Sequence, residues 1–126
     1  MSAKYTVIPK TTPGKPDAPK KFYPSFKSGG RISTRELIGH ISDISTISPI
    51  DSLAMVEGLL MVIPQELTKG NIVELGDFGS FRVTIQTSGE DKAEDVSAKN
   101  IKGARVVFMP GKLFKRALAG MEFKKG

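Results

Sequence analysis

The sequence contains no cysteine, which rules out disulfides, thiolate metal sites and thiol nucleophiles. It has one histidine, His40, with no candidate ligand set or nucleophile beside it in the sequence, so a structural role is expected rather than a metal or catalytic one. No run of about 18 apolar residues occurs, and the opening "MSAKYTVIPKTTPGKPD" lacks an apolar core with a cleavage signal. A soluble, cytoplasmic protein is expected, with no membrane partner. There is no internal repeat and no glycine loop of the kind that cradles nucleotide phosphates. The remainder is an ordinary globular composition, 39% hydrophobic and 25% charged, in a chain of 126 residues with room for one core.

Charge is unevenly distributed. Residues 1–31 carry seven Lys/Arg against Asp17, a net +6; residues 32–86 carry three against seven acids, −4; residues 87–126 carry nine against five, +4. Basic ends around an acidic middle suit a polyanion partner, and equally suit a surface that is merely kept soluble.

Local patterns divide the chain at about residue 30. "KYTVIPK" (4–10) alternates like a strand, "TTPGKPDAP" (11–19) is a Pro/Gly connector, and "KKFYPSFKS" (20–28) reads as a second strand whose Pro24 marks it as an edge. Residues 1–30 are thus expected to form an accessory β-hairpin, with Phe22, Tyr23 and Phe26 packed. Residues 31–126 are expected to form the main domain. Ser33 and Glu36 have capping-box spacing, followed by Leu37, Ile38, Ile41 and Ile44 on one helical face. Ser48-Pro49 opens a second helix running to about residue 68, with Pro64 as an expected kink and Gly70 as its stop. Leu53, Val56, Leu60, Ile63 and Leu67 form one stripe on it, and Met55, Leu59 and Val62 a second. Together they exceed the roughly 100° face that a surface helix buries, so a partner subunit is expected to cover the surplus.

Strands are expected at "NIVEL" (71–75), "SFRVTIQ" (80–86) and "ARVVFM" (104–109), with an irregular, flexible polar loop over 87–100 and a short last helix, "PGKLFKRALAG" (110–120). The stretch "VELGDFGSFRV" (73–83) contains Asp77-Phe78-Gly79. A metal-binding loop of the kinase type would need an upstream glycine loop and a catalytic aspartate segment, both missing, so a tight turn between strands is expected. Glu90, Asp91, Glu94 and Asp95 lack calcium-loop spacing. No enzymatic signature, cofactor, metal or small-molecule substrate is therefore expected. Lys112, Lys115 and Arg116 do share one helical face, at i, i+3 and i+4, beside a helix N-terminus, where phosphate would be attracted.

Two of these segments resemble the HU/IHF family of bacterial histone-like DNA-binding proteins. "ELGDFGSFRV" is similar to that family's Gly-Phe-Gly-Thr-Phe turn, with Asp77 and Ser80 as departures. "VVFMPGKLFKRAL" is similar to its closing strand-to-helix segment at Phe108, Gly111, Lys112, Lys115 and Ala117. The likeness covers about residues 32–119, and the N-terminal extension resembles a divergent HU-like branch. It implies an α+β, intertwined homodimer with two N-terminal helices, a three-stranded antiparallel sheet with an arm, and a short C-terminal helix. It also implies a nucleoid location and double-stranded DNA as partner, bound with low specificity. Arg82, Lys112 and Lys115 carry over as DNA-binding positions, with Lys99, Lys102 and Arg105 at the arm's return. Family arms are basic and insert a proline wedge into the minor groove. Here residues 87–100 have no proline and four acids against Lys92 and Lys99. A dimeric interaction module that does not bend DNA is the competing reading.

Overall fold

The computed structural model describes residues 2–11, 13–15 and 17–126, and divides into two units, Thr34–Arg116 and Met1–Ser33 with Ala117–Gly126. In the larger unit, α1 (Thr34–Asp43) follows Ser33 directly, and α2 (Pro49–Thr68) starts where the Ser48 hydroxyl accepts the Asp51 N–H at 3.1 Å. Pro49 occupies the first turn, where its missing N–H costs nothing, and Pro64 lies inside the helix. α2 ends at Gly70, whose φ of +90° suits a residue without Cβ, and whose N–H donates to the Leu67 carbonyl at 3.0 Å. Glu66 braces this end, accepting from Lys69 Nζ at 3.0 Å and Asn71 Nδ2 at 2.9 Å.

A meander follows: β3 (Val73–Glu74), β4 (Gly79–Thr87) and β5 (Ile101–Pro110), antiparallel in that order. β3 is shorter than the expected strand, because only Val73 and Glu74 pair, with Phe81 and Ser80, before the chain turns. The turn is a single 3-10 stretch, Gly76–Phe78, with Gly76 at φ +57° and Gly79 at φ +145°. A Cβ on Gly79 would meet the Met109 carbonyl at 2.5 Å, and one on Gly111 would run into the Asp77 carbonyl. The Asp-Phe-Gly stretch is therefore structural. Phe78, Phe81, Phe108 and Phe114 stack around it, with ring centroids 4.8–5.6 Å apart. α3 (Lys112–Ala119) begins two residues later than expected, since Pro110 still pairs with Gly79 in the sheet.

Very little apolar surface is fully buried within the chain. Among the described residues only Ile38 and Leu67 form a buried apolar core. Two such side chains contribute only about 3–6 kcal/mol. On α2 the covered side is Ser52, Val56, Ile63 and Leu67, while Leu53, Met55, Leu59, Leu60 and Val62 stay exposed, Leu60 at 55%.

The smaller unit is a sheet in the order β2-β1-β6, built from β1 (Ala3–Lys10), β2 (Lys21–Lys27) and β6 (Phe123–Lys125). β1 and β2 pair antiparallel from Lys4↔Lys27 to Lys10↔Lys21, and Pro24 lies on the edge strand, where a missing ladder donor is tolerated. β6 pairs parallel with the other edge of β1, from Ala3↔Phe123 to Tyr5↔Lys125. Sequence patterning did not foresee β6, so the expected last element, a helix, is followed by a strand that belongs to the N-terminal sheet. Phe22, Tyr23 and Phe26, expected to be packed, are exposed at 70%, 42% and 65%.

Candidate nucleic-acid interface

The start of α3 is fixed from beneath. Phe114 packs its ring against Phe78 and Phe108, and this anchor leaves Lys112, Lys115 and Arg116 exposed. The Gly111 N–H is not free for an anion, since it donates to the Phe78 carbonyl at 2.9 Å. The first helical hydrogen bond runs from Lys115 N–H to the Gly111 carbonyl at 3.2 Å. The amides of Lys112, Leu113 and Phe114 are thus the ones that lack carbonyl partners inside the helix.

The β4–β5 register sorts the strand residues by face. Phe81 is opposite Phe108, and both face the aromatic cluster. Arg82 is opposite Val107 and Thr84 opposite Arg105, so Arg82 and Arg105 share the reverse face. Arg105 is exposed there, whereas Arg82 is half-buried with its Nε lacking a partner. Arg82 lines a hollow of about 680 Å³ with Leu67, Asn71 and Ala104. Lys102 is the extra residue of a β-bulge: Gln86 pairs with Gly103 and Thr87 with Ile101, leaving Lys102 unopposed. Lys99 lies in the short turn Ala98–Asn100 and is exposed. The seven expected positions therefore fall into two groups, the α3 cations and the residues of the β4–β5 ribbon. None of the seven is held in an ion pair among the described residues.

The loop joining β4 and β5, expected to be irregular, contains local order. It holds two short 3-10 turns, Ala93–Asp95 and Ala98–Asn100, organised by the buried Asn100. The Asn100 amide donates to Ser88 Oγ at 3.3 Å and Glu90 Oε1 at 3.0 Å, and its oxygen accepts the Ser97 N–H at 2.9 Å. Sequence reasoning passed over Asn100, although Ser97 and Asn100 have capping-box spacing. Among the described residues no cluster of three or more metal-binding side chains exists, and no helix is long and apolar enough to cross a membrane.

A helical pair leading into an antiparallel meander, joined by a tight glycine turn and closed by a short basic helix, defines an α+β fold of the HU-like class. It aligns with a solved complex of Anabaena HU with DNA at TM-score 0.54 and 22% identity, over 71% of this chain and 99% of the HU chain. The chain belongs to the HU-HIG family, described as an HU domain fused to wHTH, Ig or a glycine-rich motif, whose family model matches residues 1–125. A crystal structure from Bacteroides vulgatus ATCC 8482, provisionally described as a bacterial DNA-binding protein, aligns at TM-score 0.68 and 13% identity. That alignment covers 98% of this chain, including its N-terminal extension, and this chain spans about half (47%) of the Bacteroides protein. Comparison with curated proteins gives no match.

Proposed function

We propose that the protein is a homodimeric, HU-like, nucleoid-associated protein that holds double-stranded DNA through its phosphates with low sequence specificity. The observation that carries this reading is the start of α3. Three exposed cations, free of ion pairs among the described residues, stand on the turn where three backbone amides lack helical acceptors. Phosphate oxygens accept from both kinds of donor, and they are the same in every sequence. The HU–DNA complex among the structural neighbours supports a duplex as partner. Arg82 and Arg105 supply a second contact on the ribbon face, flanked by Lys99 and Lys102.

The dimer rests on α2. Its exposed leucines and methionines exceed what a soluble monomer leaves in water, and a second copy of the helix covers them. The ribbon loop has no proline and is acidic, so contact follows the backbone without a wedge between base pairs. No catalytic role is proposed.

Electrophoretic shift with unrelated short duplexes at several salt concentrations tests this. Replacing Lys112, Lys115 and Arg116 with Ala should flatten the slope of log affinity against log salt by about 0.9 for each phosphate no longer neutralised, up to about 5 for a dimer's six cations. The loss should be equal across duplex sequences. Unchanged affinity and slope would leave α3 as a solvated basic face and favour the interaction-module reading.

A further inference from the structure

The sheet of the smaller unit has two unlike faces. In its register Tyr5 and Val7 share a side with Phe26, Pro24 and Phe123, forming a face that is mostly apolar, with Lys125 beside Tyr5 at its edge. The other side is basic. Lys4 is opposite Lys27 on β2 and beside Lys124 on β6, so three lysines cross all three strands in one row. Lys10 and Lys21 face each other at the far end of the same side. All five are exposed. The unit's two acids, Asp17 and Glu122, both lie outside the strands.

Like charges directly opposite on neighbouring strands are destabilising, at a strand spacing of about 4.8 Å. A sheet that needed only solubility would interleave acids with its lysines. Among the described residues the relief recorded within the unit is one ring: Lys10 Nζ lies 5.6 Å from the Tyr23 centroid. Lys4 and Lys10 are six residues apart, which separates the two clusters by about 20 Å of strand. A single phosphate cannot reach both. A duplex carries one negative charge per about 1.7 Å of axis, so roughly a dozen phosphates lie along that length.

We infer that this basic sheet face is a second phosphate-binding surface for duplex DNA, with the Lys27–Lys4–Lys124 row and the Lys10–Lys21 pair engaging separate stretches of backbone. The inference rests on the proposed DNA-binding function but uses residues outside α3 and the β4–β5 ribbon.

Fluorescence anisotropy of labelled, unrelated duplexes across a salt series tests it in the full chain. The variant carrying Lys4, Lys10, Lys21, Lys27 and Lys124 all as Gln should bind about tenfold or more weakly at low salt, with a slope shallower by about 0.9 for each phosphate released. The same five positions as Arg should keep both affinity and slope. Thermal melting at low salt should find the Gln variant no less stable than the parent, since repulsion between opposed lysines is removed. If the Gln variant melts early, Lys10→Gln with Lys21→Gln alone should still show the shallower slope. Full affinity and slope in the Gln variant, alongside weakened binding in the α3 Ala variant, overturns this surface and leaves the proposed function standing. Loss in the Gln variant with an unaffected α3 variant makes the sheet the principal surface. A parent chain that binds no duplex at low salt overturns both.

Discussion

The two units of this chain divide charge and apolar surface between them. Met1–Ser33 with Ala117–Gly126 carries nine Lys/Arg against two acids, a net +7, whereas Thr34–Arg116 carries ten against eleven, a net −1. The overall +6 therefore belongs entirely to the smaller unit. In the larger unit, basic character depends on where cations stand: on α3 and the ribbon, with acids in the loop tip and along the helices. Net charge is a poor guide to a phosphate site in such a unit, because local arrangement decides what a phosphate meets. A net +7 on the smaller unit would act on a polyanion over about the Debye length, roughly 10 Å at 0.1 M salt. In the larger unit the proposed contact depends on amides and cations set close together at the start of α3.

The contrast would be broken most severely at α2. Leu60→Asp places a carboxylate on the face assigned to the second subunit, where an unpaired charge costs several kcal/mol to bury. The dimer should be lost, and sedimentation with circular dichroism should find an unfolded or aggregated chain. For the parent, the melting temperature should rise with protein concentration, and a folded monomer at micromolar concentration would refute the assignment.

Next in size is Gly111→Ala, which drives a methyl group into the Asp77 carbonyl. The atoms it meets are all backbone, of Asp77 and Gly79, and leave little room to yield, so a loss of about 1–3 kcal/mol is expected in a urea melt. DNA binding should weaken in parallel, because α3 is held through this junction.

A smaller effect, of opposite sign, is expected at the ribbon tip. Asp91→Asn, Glu94→Gln and Asp95→Asn together remove three charges that oppose phosphate, without touching the Asn100 bonds. Duplex affinity should rise severalfold at low salt, and the gain should fade as salt screens it. A loss of affinity would mean that the acidic tip contacts something other than DNA backbone.

The smallest change concerns Glu66. Its carboxyl is held below the ordinary glutamate range, chiefly by the Lys69 hydrogen bond, then by Asn71 and by the Lys69 charge. A depressed folded pKa contributes stability above the unfolded value, near pH 4.5, that is lost as pH falls through the folded value. Glu66→Gln should therefore melt slightly earlier than the parent at neutral pH and converge with it in acid. Because Glu66 is solvent-accessible, the difference should be near the limit of measurement.

Both α1 and α2 were legible in the sequence because their signals are local: the Ser48 cap, Pro49 and the glycine stop lie within a turn of the helix ends they set. The glycine turn at residues 76–79 was legible for the same reason. β6 was not, since three residues carry no period and its partner lies at the other end of the chain. Nor was the order of the ribbon loop, which depends on one asparagine reaching back to Ser88 and Glu90. At the candidate site, the i, i+3, i+4 spacing exposed the α3 cations. The partial burial of Arg82 and the bulge at Lys102 depend on pairing register. The opposed lysines of the smaller unit were hidden likewise: a long Pro/Gly connector does not set the register that brings Lys4 to Lys27.

The parallel pairing of β6 on β1 has a consequence for how the chain is made. Ala3 waits for Phe123, 120 positions later, before the ladder on that edge closes. At a synthesis rate of about 5–20 residues per second, the wait is roughly 6–24 s. For that time the nascent β1–β2 hairpin presents an open edge of backbone donors and acceptors to the ribosome surface and to any other chain nearby. The larger unit has time to fold first, as an insertion within the smaller. Emergence of Phe123–Lys125 then sets the earliest moment at which the N-terminal sheet is completed.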